Sequence, residues 1–180
     1  MTLDQKHAGR PDKDTYFLRM AQLVASRSTC LRRSVGCVLV NERGHVLATG
    51  YNGVAAGMPH CNELITTELK ATYTYLTIGF KTEKCEPHYP HACPGAQSPS
   101  GTNLDGCQAI HAEQNALLQC RDTFEIYTCY CTASPCLTCT KLLMNTSCKR
   151  IVFIEEYPHE EARILWQRKG PGQVWFNGVV

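Results

Sequence analysis

The feature that most restricts what this chain can fold into is a set of metal-type ligands divided between two places. His111-Ala112-Glu113 comes first, and Pro135-Cys136-Leu137-Thr138-Cys139 follows more than twenty residues later. One imidazole and two thiolates supply three ligands to a zinc ion. Three protein ligands leave a fourth tetrahedral position for water, the mark of a catalytic site; a structural site normally closes that position itself. The ligands meet only if the fold brings two separate helix starts, at 111 and 136, to one point. Helix N-termini carry partial positive charge, which favours thiolate over thiol. Cys136 and Cys139 are three apart, so both point to one side of a first turn. His111 and Glu113 are two apart, turned roughly 200° from each other at about 100° per residue. The glutamate therefore fits a proton-moving role at the cleft better than the role of a fourth ligand.

Bulk properties narrow the remaining choices. A chain of 180 residues suits a single domain, residues 1–180, with a real core. Hydrophobic content of 43% and charge of 19% exclude a disordered chain. A formal charge of +2 does not mark a nucleic-acid binder. No apolar run approaches the roughly 20 residues of a membrane span. The first residues are polar, so the expected compartment is the cytoplasm. Twelve cysteines in such a chain point to metal or catalysis rather than disulfides. Cys37, Cys120, Cys129, Cys131 and Cys148 lie in apolar stretches and read as small core residues.

Taken in order, Asp12 to Ser28 has helical spacing, with Asp12 or Asp14 as its cap. Ser26 to Ser34 carries three arginines, which suit a phosphate or equally a solvated loop. Val35–Val40 and His45–Thr49 predict a hairpin around Asn41-Glu42-Arg43-Gly44. Gly50-Tyr51-Asn52-Gly53 follows directly, where two glycines allow close approach to a ligand and the asparagine amide both donates and accepts. Glu63–Ile78 predicts a second helix. Residues 79–106 hold four prolines, Cys85, Cys93, His88 and His91 without periodicity, an insertion that metal could hold in place. Ala109–Cys120 reads as a helix, Glu125–Thr132 as a strand, and Cys136–Asn145 as a helix with Ser134 as N-cap and Pro135 at its start. Arg150–Ile154, Pro158–Arg168 and Val174–Phe176 read as strand, helix and strand. This alternation predicts parallel strands with helices on both faces.

H-x-E…P-C-x-x-C is the signature of zinc-dependent nucleobase deaminases. The chemistry it predicts is hydrolytic: Glu113 takes a proton from water, passes it to the ring nitrogen beside the attacked carbon, and then helps ammonia leave.

Ser34-Val35-Gly36, Gly50-Tyr51-Asn52-Gly53, Pro59-His60-Cys61, Cys107 to Ala116, Ser134 to Cys139 and Glu156-Tyr157-Pro158 together resemble the cytidine and deoxycytidylate deaminase superfamily. The chain looks most like its dCMP branch of bacterial and phage type, over Tyr16 to Phe176. The resemblance implies a three-layer α/β/α fold with a central five-stranded mixed sheet. It implies conversion of dCMP to dUMP and a homo-oligomer, commonly a hexamer. It also implies activation by dCTP with Mg2+ and inhibition by dTTP. A phage-encoded member would work in the host cytoplasm. By position, the resemblance implies that Asn52 holds the sugar and the Ala112 backbone meets the base carbonyl. Backbone at Thr132 to Ser134 then meets the amino group, Tyr130 and Tyr157 line the nucleotide pocket, and Arg121 reaches phosphate. Some members carry a second, structural zinc. Cys30 and Cys61 match two of its positions, Cys107 offers a third, and His60, His91 or Cys93 is the fourth; an acidic residue of one family version is replaced by Ala109.

Two other readings stay open at this level. One is deamination of a different base: free cytidine, a tRNA adenosine, or a pyrimidine of riboflavin synthesis. The other is a zinc-stabilised nucleotide sensor that releases no ammonia.

Overall fold

The computed structural model describes residues 9–63, 89–96, 98–99, 102–103, 106–158 and 160–180. The helix predicted over Glu63–Ile78 falls, from residue 64 onward, outside the described residues. Two units gather the chain: one of residues up to Ser28, Ser34–Asn52 and Ile110–Val180, the other of Thr29–Arg33 and Gly53–Ala109.

The first unit is built on five strands, β1 (Gly36–Val40), β2 (Val46–Tyr51), β3 (Thr128–Ala133), β4 (Arg150–Glu155) and β5 (Val174–Asn177). Their spatial order is β2-β1-β3-β4-β5. β1 runs antiparallel to β2 and β3, whereas β3–β4 and β4–β5 are parallel. The helices are α1 (Lys13–Ala25), α2 (Ala112–Gln119), α3 (Leu137–Met144) and α4 (Glu160–Gln167), with a 3-10 turn at Thr123–Glu125. The predicted hairpin forms around residues 41–44, and Gly44 supplies the positive φ of 89° that closes it.

β1 is buried at every position, so its side chains divide between two cores by parity alone. Cys37 and Leu39, with Cys129, Cys131, Ile151 and Phe153, face one side, where Ala112, Ala116, Leu143 and Trp166 of the helices cover them. Val38, Val40, Tyr130 and Val152 face the other, under Phe17, Leu18 and Ala21 of α1. Sheet and helices thus form three layers. Trp166 and Phe153 are fully enclosed, and burial of side chains this size stabilises by about 1.5–3 kcal/mol each. Asp12 caps α1: its carboxylate accepts from the Thr15 N–H at 2.9 Å and hydroxyl at 2.8 Å.

Two glycines on neighbouring strands let helices sit directly on the sheet. A Cβ at Gly36 would meet Ala21 O at 2.1 Å and Ala25 N at 2.5 Å, on the α1 side. A Cβ at Gly50 would meet Ala112 O and Ala116 N, each at 2.3 Å. Gly50 therefore admits a helix, not a ligand as its motif suggested.

In the second unit the Arg32 guanidinium donates to the carbonyls of Gly95 (3.2 Å), Pro99 (3.1 Å) and Thr102 (3.1 Å). Of the arginines in the phosphate-or-loop stretch, Arg32 thus ties together Gly95, Pro99 and Thr102 of the insertion. Among the described residues no helix is long and apolar enough to cross a membrane.

Candidate active site

α2 and α3 start at the two ligand motifs. His111 is the N-cap of α2 and Cys136 the N-cap of α3. Each start is tied down. The Gln114 side chain accepts from the His111 N–H at 2.9 Å, and the Asn115 amide donates to Tyr51 O at 2.8 Å, fastening α2 to β2. On the other side, Ser134 N donates to Glu155 O at 2.8 Å. The Ser134 hydroxyl accepts from Tyr157 N at 2.7 Å, so the β3–α3 turn is fixed to the end of β4. Ser134 is therefore not the N-cap predicted for this helix; a long-range partner has taken its hydroxyl, and the cap moves to Cys136.

His111 Nδ1 lies 3.4 Å from the sulfurs of both Cys136 and Cys139. The Cys139 thiol hydrogen-bonds Cys136 and, with His111, pulls the Cys136 thiol down to about 4 against the effect of burial. The same bond and burial push Cys139 up. Two cysteine sulfurs and one imidazole nitrogen, all within 4.8 Å of one another, form a donor set that fits zinc. Among the described residues no fourth His, Cys, Asp or Glu joins them. Glu113 is only 4% exposed. Burial pushes its carboxyl up to about 7, with Cys129 adding in the same direction and His111 opposing.

The other predicted site residues divide. Asn52 is 8% exposed. Its side-chain oxygen accepts from Val35 N at 2.8 Å and from the Ser28 hydroxyl at 2.7 Å, which fixes the direction of the amide. Ser28 and Val35 were not singled out as site residues, because no local signal links them to position 52. Ala112 is the first residue of α2, and a first-turn N–H has no partner within its own helix. The Thr132 hydroxyl accepts from Gly36 N at 3.1 Å. Tyr157 is half-buried, and Arg121 is exposed just beyond α2. Tyr130 departs from expectation. It alternates with Cys129 and Cys131 along β3 and so faces the α1 layer, packed on Phe17. Its hydroxyl donates to Asp14 at 2.6 Å, away from the layer that carries His111 and Glu113.

In the second unit, four of the possible second-metal residues lie within electrostatic or hydrogen-bond reach of a neighbour in the same group. The Cys93 sulfur hydrogen-bonds those of Cys61 and Cys107, and Cys30 lies within electrostatic reach of Cys61 and Cys107. Burial works against ionisation of Cys93, but hydrogen bonds from the Gln108 and Gly95 backbone and from both thiols outweigh it, and its thiol is lowered. His60 and His91 are exposed. Of the three alternatives for the fourth position, the structure brings Cys93 to the other cysteines. The group is looser than the His111 site: no three of its ligand atoms lie within 4.8 Å of one another.

The family model described as "cytidine and deoxycytidylate deaminase zinc-binding region" matches residues 11–155. Deoxycytidylate deaminase of Mycobacterium phage D29 is 36% identical over 148 residues, covering 82% of this chain and 98% of its own. Deoxycytidylate deaminase of Saccharomyces cerevisiae is 34% identical over 154 residues, covering 84% of this chain. The chain spans only 40% of the length of that relative and 38% of the Schizosaccharomyces pombe protein. The fold is shared with the crystal structure of cyanophage S-TIM5 dCMP deaminase in complex with dCMP and dUMP. That match has a TM-score of 0.61 at 24% identity and covers 93% of this chain and 98% of the other.

Proposed function

The chain belongs to the cytidine and deoxycytidylate deaminase family, and from that premise we propose that it hydrolyses dCMP to dUMP and ammonia. The observation that carries the reading is the meeting of His111, Cys136 and Cys139 beside a buried Glu113. The choice of dCMP rests on the phage D29 relative, matched over nearly its whole length.

His111 Nδ1 and the sulfurs of Cys136 and Cys139 would hold zinc. When bound, zinc supplies Lewis acidity, which makes water a nucleophile near neutral pH. Glu113 takes the proton of the attacking water and delivers it to the ring nitrogen beside the carbon under attack. It then carries a proton to the leaving ammonia. Its enclosure keeps bulk water from competing for that proton. The Asn52 amide, aimed by Ser28 and Val35, binds the sugar. The Ala112 N–H meets the base carbonyl, and backbone from Thr132 to Ser134 meets the amino group. Tyr157 lines the nucleotide pocket, and Arg121 reaches phosphate, from this or a neighbouring copy.

Cys30, Cys61, Cys93 and Cys107 would hold a second, structural zinc, so metal analysis should return near two zinc ions per chain and near one for Cys93→Ser. The whole chain acts as one deaminase domain, in a homo-oligomer with hexamer as its expected size. It works in the cytoplasm, where its nucleotide substrate is, and dCTP with Mg2+ activates it while dTTP inhibits.

Ammonia release from dCMP, deoxycytidine and an RNA stem-loop, with and without dCTP, tests the reading. Release from dCMP alone, raised by dCTP, supports it. Preference for deoxycytidine or RNA, or nucleotide binding without ammonia, overturns it.

A further inference from the structure

Three thiols meet in the core and take no part in the chemistry above. Cys129 and Cys131 are two apart on β3 and share a face. Cys37 on β1 is the register partner of Cys131. The Cys37–Cys129 sulfurs are 3.6 Å apart and the Cys129–Cys131 sulfurs 3.5 Å apart. All three ligand atoms lie within 4.8 Å of one another. A disulfide would need about 2.05 Å, so these are free thiols in contact. Each is fully closed to solvent.

We propose that Cys37, Cys129 and Cys131 form a binding site for a trivalent thiophilic ion, of the class of arsenite. The surroundings choose the charge. Ala112, Ala116, Leu143, Ile151 and Phe153 pack in the same core, and Glu113, within electrostatic reach of Cys37, is itself an acid. An uncompensated charge is costly in such a place. Three thiolates around a monovalent ion leave two negative charges, and around a divalent ion one. Around a trivalent ion they leave none. The geometry points the same way. Trivalent arsenic takes three sulfurs on one side and turns a lone pair to the other, so it requires no fourth donor. Cys148, in the same core, directs its thiol to Arg150 O at 3.3 Å. Binding is a simple exchange. Three As–O bonds of arsenous acid break and three As–S bonds form. Each thiol proton leaves with a hydroxyl as water, and no oxidation state changes.

A closed site also dictates the kinetics. Arsenite enters only when the β1–β3 pairing opens locally, so the uptake rate should level off as arsenite is raised.

The test uses the zinc-loaded full chain and sodium arsenite, with arsenic and zinc counted per chain by native mass spectrometry. The parent protein should take up one arsenic more than Cys129→Ala, slowly, with its zinc unchanged. Cys37→Ala serves if the first variant does not fold. Arsenic X-ray absorption on the parent protein should show three sulfur neighbours, and decides the matter if neither variant folds. Equal uptake by parent and variants overturns the proposal. So does uptake matched by zinc loss, or arsenic with oxygen or nitrogen neighbours, or no uptake at all.

Discussion

Replacing Gly50 with alanine asks whether the seat of α2 on β2 sets the active geometry. The new Cβ would stand 2.3 Å from Ala112 O and from Ala116 N, both backbone atoms, whereas ordinary contact begins near 3.4 Å. The helix must therefore retreat by about 1 Å, since neither atom belongs to a side chain that can rotate away. Overpacking of this kind costs about 1–3 kcal/mol. In a chain of this size that lowers Tm by about 2–12 °C, at roughly 2–4 °C per kcal/mol. α2 is capped by His111 and carries Glu113, and a misplacement near 1 Å costs on the order of 100-fold in rate, equivalent to about 2.7 kcal/mol of barrier. Gly36→Ala is the matched control. Its Cβ would meet Ala21 O at 2.1 Å and Ala25 N at 2.5 Å, but it displaces α1, which bears no metal ligand. Both variants are followed by thermal unfolding and by ammonia release from dCMP per folded, zinc-loaded chain. A similar Tm loss in both, with the rate loss confined to Gly50→Ala, is expected. Parental turnover in Gly50→Ala, or an equal loss in Gly36→Ala, would show that the seat of α2 on β2 does not set the active geometry.

Asn52→Ala removes the acceptor of Val35 N and one of the two acceptors of the Ser28 hydroxyl, which keeps its bond to the Asn52 carbonyl. Leaving the Val35 N–H without that acceptor should cost about 1–3 kcal/mol, seen as a lower urea midpoint, together with a raised KM for dCMP. Trp166→Ala empties a fully enclosed position whose Nε1 donates to Val174 O. It should cost about 3–5 kcal/mol, and an unfolding free energy within error of the parent would contradict the described core. Asp12 has its carboxyl lowered, first by the Thr15 backbone N–H and then by the Thr15 hydroxyl. A depressed folded-state value means the stabilisation is present above the unfolded value of 3.8 and is lost as pH falls through the folded one. Asp12→Ala should therefore lower Tm at pH 7 and converge on the parent in acid; a gap that widens in acid would reverse the sign.

Much of the strand and helix order was legible because the chain alternates apolar runs with turn residues. The candidate metal ligands were legible because each lies at or just inside a helix start. Position 130 carries a signal of its own in the sequence. Period-two alternation with Cys129 and Cys131 already assigns Tyr130 to the opposite face. Ser134 shows a local rule losing to a distant partner, since Tyr157 lies 23 residues on. Gly50 could not be read in advance, because what it meets is a helix more than sixty residues away in sequence. Cys93 could not be preferred over His91, because residues 79–106 carry no periodicity to place either, and no local signal set either of them above His60. Reading Cys37, Cys129 and Cys131 as core residues agrees with their burial. That they touch follows only from the pairing of β1 with β3, across 92 residues for Cys37 and Cys129.

The proposed turnover depends above all on Glu113 as the group that moves protons beside a metal held by His111, Cys136 and Cys139. Glu113→Gln keeps the size and removes the acid, so zinc content and ammonia release from dCMP should be measured on the same preparation. Zinc equal to the parent with release reduced by about 100-fold or more is the predicted result; zinc retained with ammonia released at nearly the parental rate would contradict it.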